Sequence, residues 1–108
     1  MLIKTPTGNY VFYKETDSII IKKKNIEKMY EPTVTVLFIM LVRENGTQLL
    51  LDIVGNTQLI RGSTLEIMAE REVENLVLNI VKNKELDVVE MIRPNWEEIE
   101  REIRELAR

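Results

Sequence analysis

Lys22, Lys23 and Lys24 in a row, Lys14 upstream and rings at Tyr10, Tyr13 and Tyr30 are the residues whose types and spacing suggest a task. That task is non-covalent. Lysines neutralise phosphates and release counterions, and a ring can stack on any base. A basic face set with aromatics therefore holds single-stranded nucleic acid without reading its sequence. Charge is uneven in the same sense: residues 1–30 carry six lysines against three acidic side chains. Tyr10, Phe12, Tyr13, Tyr30 and Phe38 all fall in the first 38 residues, so the basic third is also the aromatic third. A purely structural reading puts Phe12, Phe38 and Tyr13 in the core and uses the lysines to blunt an edge strand. The formal net charge of −3 counts against duplex binding by bulk electrostatics, although a local patch still works.

Covalent chemistry has little to build on. The chain has no cysteine and no histidine, which removes a thiol nucleophile, a Ser-His-Asp triad, imidazole acid–base work and an ordinary zinc site. Asp52 sits between Leu51 and Ile53, where a carboxylate is costly unless paired or exposed. A metal nuclease needs several carboxylates converging, and the other aspartates, Asp17 and Asp87, belong to no acidic motif. Asp52 is therefore read as a structural carboxylate. Gly8, Gly46, Gly55 and Gly62 form no phosphate-binding loop. The expectation is a protein that is not an enzyme, with no catalytic residue, cofactor or metal.

The 108 residues fit one domain, 1–108, able to bury roughly two-thirds of its unfolded surface without a staple. The longest apolar run, Val34 to Val42, falls far below the roughly 20 residues of a membrane span, so no membrane association is expected. Absence of cysteine and of a signal-peptide pattern suggests a cytoplasmic setting. Abundant Glu, Lys, Arg, Ile and Val with only two Gln resemble a thermophile composition, against which eight Asn count.

Elements must position these residues. Leu2 to Lys4 reads as a short strand and Pro6-Thr7-Gly8-Asn9 as a turn. Tyr10 to Lys14 then pairs with Ser18 to Lys22. Ile26, Met29 and Tyr30, at i, i+3 and i+4, suggest one helical turn stopped by Pro32. Thr33–Arg43 and Thr47–Val54 form a hairpin about Asn45-Gly46, the pair favoured in two-residue type I′ turns. In that register Val42 opposes Leu49, Met40 opposes Leu51 and Phe38 opposes Ile53. On the other face Leu41 meets Leu50, Ile39 meets Asp52 and Leu37 meets Val54. Both faces are apolar, so a helix, another sheet or a second subunit must cover the second. Gly55-Asn56 reads as a further turn before a short strand, Thr57–Ile60.

Ser63-Thr64-Leu65-Glu66 is a capping box opening a helix that carries Leu65, Ala69, Val73, Leu76 and Ile80 on one stripe. Val88 to Ile92 suggests a last strand. Asn95 caps a final helix, and Trp96, Ile99, Ile103 and Leu106 repeat on it with 3-4-3 spacing. That seam either docks on this chain or pairs with a copy of itself, so a homodimer or homotetramer is expected.

The fold class is α+β: a mainly antiparallel sheet of five to seven short strands, packed by the helix near 64–82, with a C-terminal helix near 95–107. This layout is similar to that of the small archaeal single-stranded-DNA-binding proteins called ThermoDBP-related. The likeness is one of architecture and implies a compact sheet domain that oligomerises. The functional expectation is an oligomer that binds single-stranded nucleic acid through Lys14, Lys22, Lys23, Lys24, Tyr10, Tyr13 and Tyr30. The alternative is an assembly module working through the C-terminal seam and the two-faced hairpin.

Overall fold

The computed structural model describes residues 1–107, except for the side chains of Asn56 and Thr57. Six strands and two helices run in the order β1 (Leu2–Lys4), β2 (Tyr10–Phe12), β3 (Ser18–Ile26), β4 (Val34–Val42), β5 (Gln48–Ile60), α1 (Thr64–Lys82), β6 (Val88–Glu90) and α2 (Trp96–Leu106). The class is α+β. The strands form two three-stranded sheets: β2-β1-β6, with β1 antiparallel to β2 and parallel to β6, and the antiparallel β3-β4-β5.

The first expected hairpin does not form. Tyr10 pairs back with Lys4 across the Pro6–Asn9 turn, which is closed by Thr5 N–H to Asn9 O at 2.8 Å. Residues 14–17 form their own turn: the Asp17 carboxylate accepts from Lys14 N–H at 2.9 Å, and Asp17 N–H donates to Lys14 O at 3.0 Å. That turn carries the chain from one sheet to the other. The expected helical turn at Ile26–Tyr30 is absent too. β3 runs to Ile26 because a nine-residue ladder with β4 outweighs a three-residue helical pattern, and Tyr30 takes φ 64 in the connection.

The β4–β5 hairpin is present with a different turn. Arg43 and Thr47 close a three-residue loop, with Gly46 N–H to Arg43 O at 2.9 Å and Gly46 at φ 87. Near the turn the pairs are therefore Val42–Gln48, Leu41–Leu49 and Met40–Leu50. A bulge at Leu51 restores the expected register for Ile39–Asp52, Phe38–Ile53 and Leu37–Val54. Leu51 is buried in consequence and Leu50 faces outward. The expected turn at Gly55-Asn56 is replaced by continuous β5 with a second register shift.

One core joins the elements. Leu37, Ile39, Leu41, Leu51 and Val54 on the inward sheet face meet Leu65, Ala69, Val73 and Ile80 of α1, with Ile3, Val89 and Met91 from the other sheet. Ser63 caps α1 as expected, accepting from Glu66 N–H at 3.2 Å. Glu66 does not complete the box. Its carboxylate accepts from Gly62 N–H at 3.4 Å and from the Thr35 hydroxyl, pinning α1 to β4. Burial alone would raise this carboxyl. The Thr35 and Gly62 hydrogen bonds and the Lys23 ammonium outweigh that and hold it below the ordinary carboxylate value. A lowered folded-state value gives stability that is complete above the unfolded value and lost as pH falls through the folded one. The urea midpoint is therefore expected to drop in acid below the ordinary glutamate range, and Glu66→Gln to flatten that drop. An unchanged acid profile in Glu66→Gln would remove Glu66 as its source.

Asn95 caps α2, accepting from Glu98 N–H at 3.1 Å. Trp96, Ile99 and Ile103 pack partly buried against the core, while Leu106 is 87% exposed. Three of the four seam residues are thus used within the chain, which favours docking over self-pairing of this helix.

Candidate functional site

Strand alternation separates the three lysines. Lys23 lies on the inward side of β3, its Nζ 2.6 Å from Glu70 and 3.5 Å from Glu66 of α1. The Glu70 hydrogen bond leads the interactions that raise its pKa. Lys23 is an intramolecular cation, unsuited to phosphate contact. Lys22 and Lys24 project from the outward face, opposite Phe38 and Val36, and Lys22 Nζ donates to Gln48 at 2.7 Å. Among the described residues, Lys14, Lys22 and Lys24 form no ion pair.

The rings divide in the same way. Tyr13 is buried in the core with the Lys84 ammonium 5.3 Å from its ring centroid, so it cannot stack on a base. Tyr30 is almost fully exposed on the β3–β4 connection. Tyr10 and Phe12 are 58% and 52% exposed on one face of β2, an edge strand. Two residues along a strand set their rings about 7 Å apart. Lys4 opposes Tyr10 and lies 3.9 Å from Glu90, and Leu2 opposes Phe12. The expected single lysine–aromatic face is therefore split into three places. Phe12 is exposed beside Tyr10, whereas the structural reading put it in the core and the expected site left it out. Alternation with Tyr13 would have found it, once Tyr13 was taken as core.

Beside Phe12, Lys14, Thr16, Asp17, Arg43, Glu44 and Asn45 line an open hollow of about 320 Å³. Arg43 donates to the Phe12 carbonyl at 2.9 Å and pairs with buried Asp17. One Asp17 oxygen is buried without a hydrogen-bond partner among the described residues. Asp52 is buried and gripped by Arg93, whose Nε lies 3.1 and 3.0 Å from its two oxygens. It is paired, as its cost in the strand required. No group of three or more Asp or Glu is placed to hold a metal ion among the described residues. Among the described residues no helix is long and apolar enough to cross a membrane.

The chain matches no family model, no curated protein and no solved structure. The likeness of layout to the ThermoDBP-related proteins thus brings no support for function.

Proposed function

We propose that this protein binds single-stranded nucleic acid, without catalysis, on the open face of the β2-β1-β6 sheet. The observation that supports it is the exposed Tyr10–Phe12 pair. Large rings on a strand whose other side is core normally turn inward, as Tyr13 does, and here two neighbouring ones are left in water. Rings about 7 Å apart suit two splayed successive bases, with Lys14 beyond Phe12 to take a phosphate. Single strands are favoured over duplex because stacking needs unpaired faces and the net charge of −3 gives no general attraction.

Fluorescence anisotropy with labelled single-stranded DNA, single-stranded RNA and duplex DNA, each at low and moderate salt, tests this reading. Tyr10→Ala and Phe12→Ala should each weaken single-strand binding by about 1–3 kcal/mol, roughly 5- to 150-fold, with the thermal melt unchanged. Lys14→Ala should lower the salt slope by about 0.7. Binding to none of the three nucleic acids at low salt, or equal binding after both ring substitutions, would sink the proposal.

A further inference from the structure

The nucleic-acid reading leaves the outward face of β3-β4-β5 unused. Its middle level is Lys22–Phe38–Ile53, with Ile20–Met40–Leu50 on one side and Lys24–Val36–Gly55 on the other. Leu50 and Ile53 are roughly half exposed, whereas inward-facing Leu37, Ile39, Leu41, Leu51 and Val54 of β4 and β5 are buried under α1 and the core. A side-by-side apolar surface of this kind marks an interaction site. Among the described residues of the three strands no acidic side chain faces outward, and Phe38 is the only ring. Aliphatic groups gain by burial and offer bases nothing to stack on, so a protein surface suits this face better than nucleic acid.

We infer that a second copy of this chain closes it, face to face, about a two-fold axis parallel to the strands. The register supplies the reason. Such an axis sets β4 on β4 and β3 over β5 while keeping each residue at its own level. Ile20 then comes over the copy's Leu50, apolar on apolar. The Lys22 stem covers Ile53, and Lys24 comes over Gly55, which has no side chain to oppose it. The two lysine rows rise from opposite edges of the pair; the Lys22 ammonium, which in the single chain lies across the sheet on Gln48, swings out to its own rim on docking, so like charges never meet. A two-fold across the strands would instead stack β3 on β3, lysines together. Three adjacent strands paired along the nine-residue length of β3 and β4 give a face of roughly 30 × 14 Å in plan, enlarged by side-chain relief toward the about 600–800 Å² per partner of a stable dimer. Aligned sheets pack at about −30°, so the match is closest at the middle level.

Sedimentation velocity on the full chain at tens of micromolar should give twice the chain mass. Ile53→Lys and Leu50→Glu, at positions the single chain leaves half exposed, should raise the dissociation constant at least roughly tenfold with unchanged melts. The chain has no cysteine, so single-cysteine variants report the geometry directly. Ile20→Cys mixed with Leu50→Cys should form an interchain disulfide, and Ile20→Cys alone should not. A monomer, or a dimer indifferent to both charge variants, overturns the inference. So does self-crosslinking of Ile20→Cys, which would put β3 on β3. Tyr10 and Phe12 lie on the other sheet, so loss of either proposal leaves the other standing.

Discussion

Gly55→Ala should cost about 3–5 kcal/mol, a large part of the roughly 5–15 kcal/mol that holds a domain of this size. Gly55 has φ +139, a conformation that L side chains rarely adopt, and a Cβ there would lie 2.4 Å from the Thr35 carbonyl oxygen and 3.0 Å from Val36 Cα. Backbone strain accounts for about 1–3 kcal/mol and the clash for a similar amount. Neither neighbour can swing aside, since both contacts are with backbone of the central strand. In urea the midpoint should fall by roughly 2 M at unchanged slope. Gly46→Ala is the matched control. Gly46 also has positive φ, +87, but nothing lies within 4 Å of its Cβ position. Its loss should stay near 1 kcal/mol. Equal effects at the two glycines would mean that the close approach of β5 to β4 is not the cause.

Arg93→Met should destabilise by about 2–4 kcal/mol, and far more than Asp52→Ala. The pair is asymmetric: the Asp52 side chain is essentially buried, whereas Arg93 is 45% exposed. Removing the arginine strands a buried carboxylate, while removing the carboxylate leaves a guanidinium that water can reach. The estimate is set below that for a fully buried pair because of that exposure. Asp52 holds Arg93 above its ordinary value, chiefly through the hydrogen bond, against the opposing effect of burial. The double variant Asp52→Ala/Arg93→Met should therefore be more stable than Arg93→Met alone, which denaturation of all four proteins would show. If Arg93→Met costs no more than Asp52→Ala, the pair is not a buried tether. The consequence reaches α2. Arg93 also donates to the Ile53 carbonyl at 3.4 Å, so it fastens the segment ahead of α2 to β5. Faster amide exchange across Trp96–Leu106 in Arg93→Met would report that release.

Local signals were legible where a few neighbouring residues suffice. Ser63 and Asn95 cap the two helices, and the α1 stripe and the β4–β5 hairpin with its register at Leu37–Ile39 follow from spacing. The turn itself was not, because Asn-Gly serves two loop lengths, and one extra loop residue is absorbed only by a bulge at Leu51. The candidate site was half legible. Alternation along β3 already places Lys22 and Lys24 opposite Lys23, but which side faces α1 depends on where α1 packs.

Periodicity, capping chemistry and turn residues determined the α+β class, both helices and the long hairpin, since each is decided within a few residues. Tertiary structure decided which strand Tyr10–Phe12 pairs with, and so whether two sheets or one are formed. It also turned Tyr13 inward and left Phe12 outside, and it spent Lys23 on Glu70 and Glu66. Those outcomes depend on contacts between residues far apart in the chain, where burial of whole faces outweighs local preference, and no window of neighbouring residues contains them.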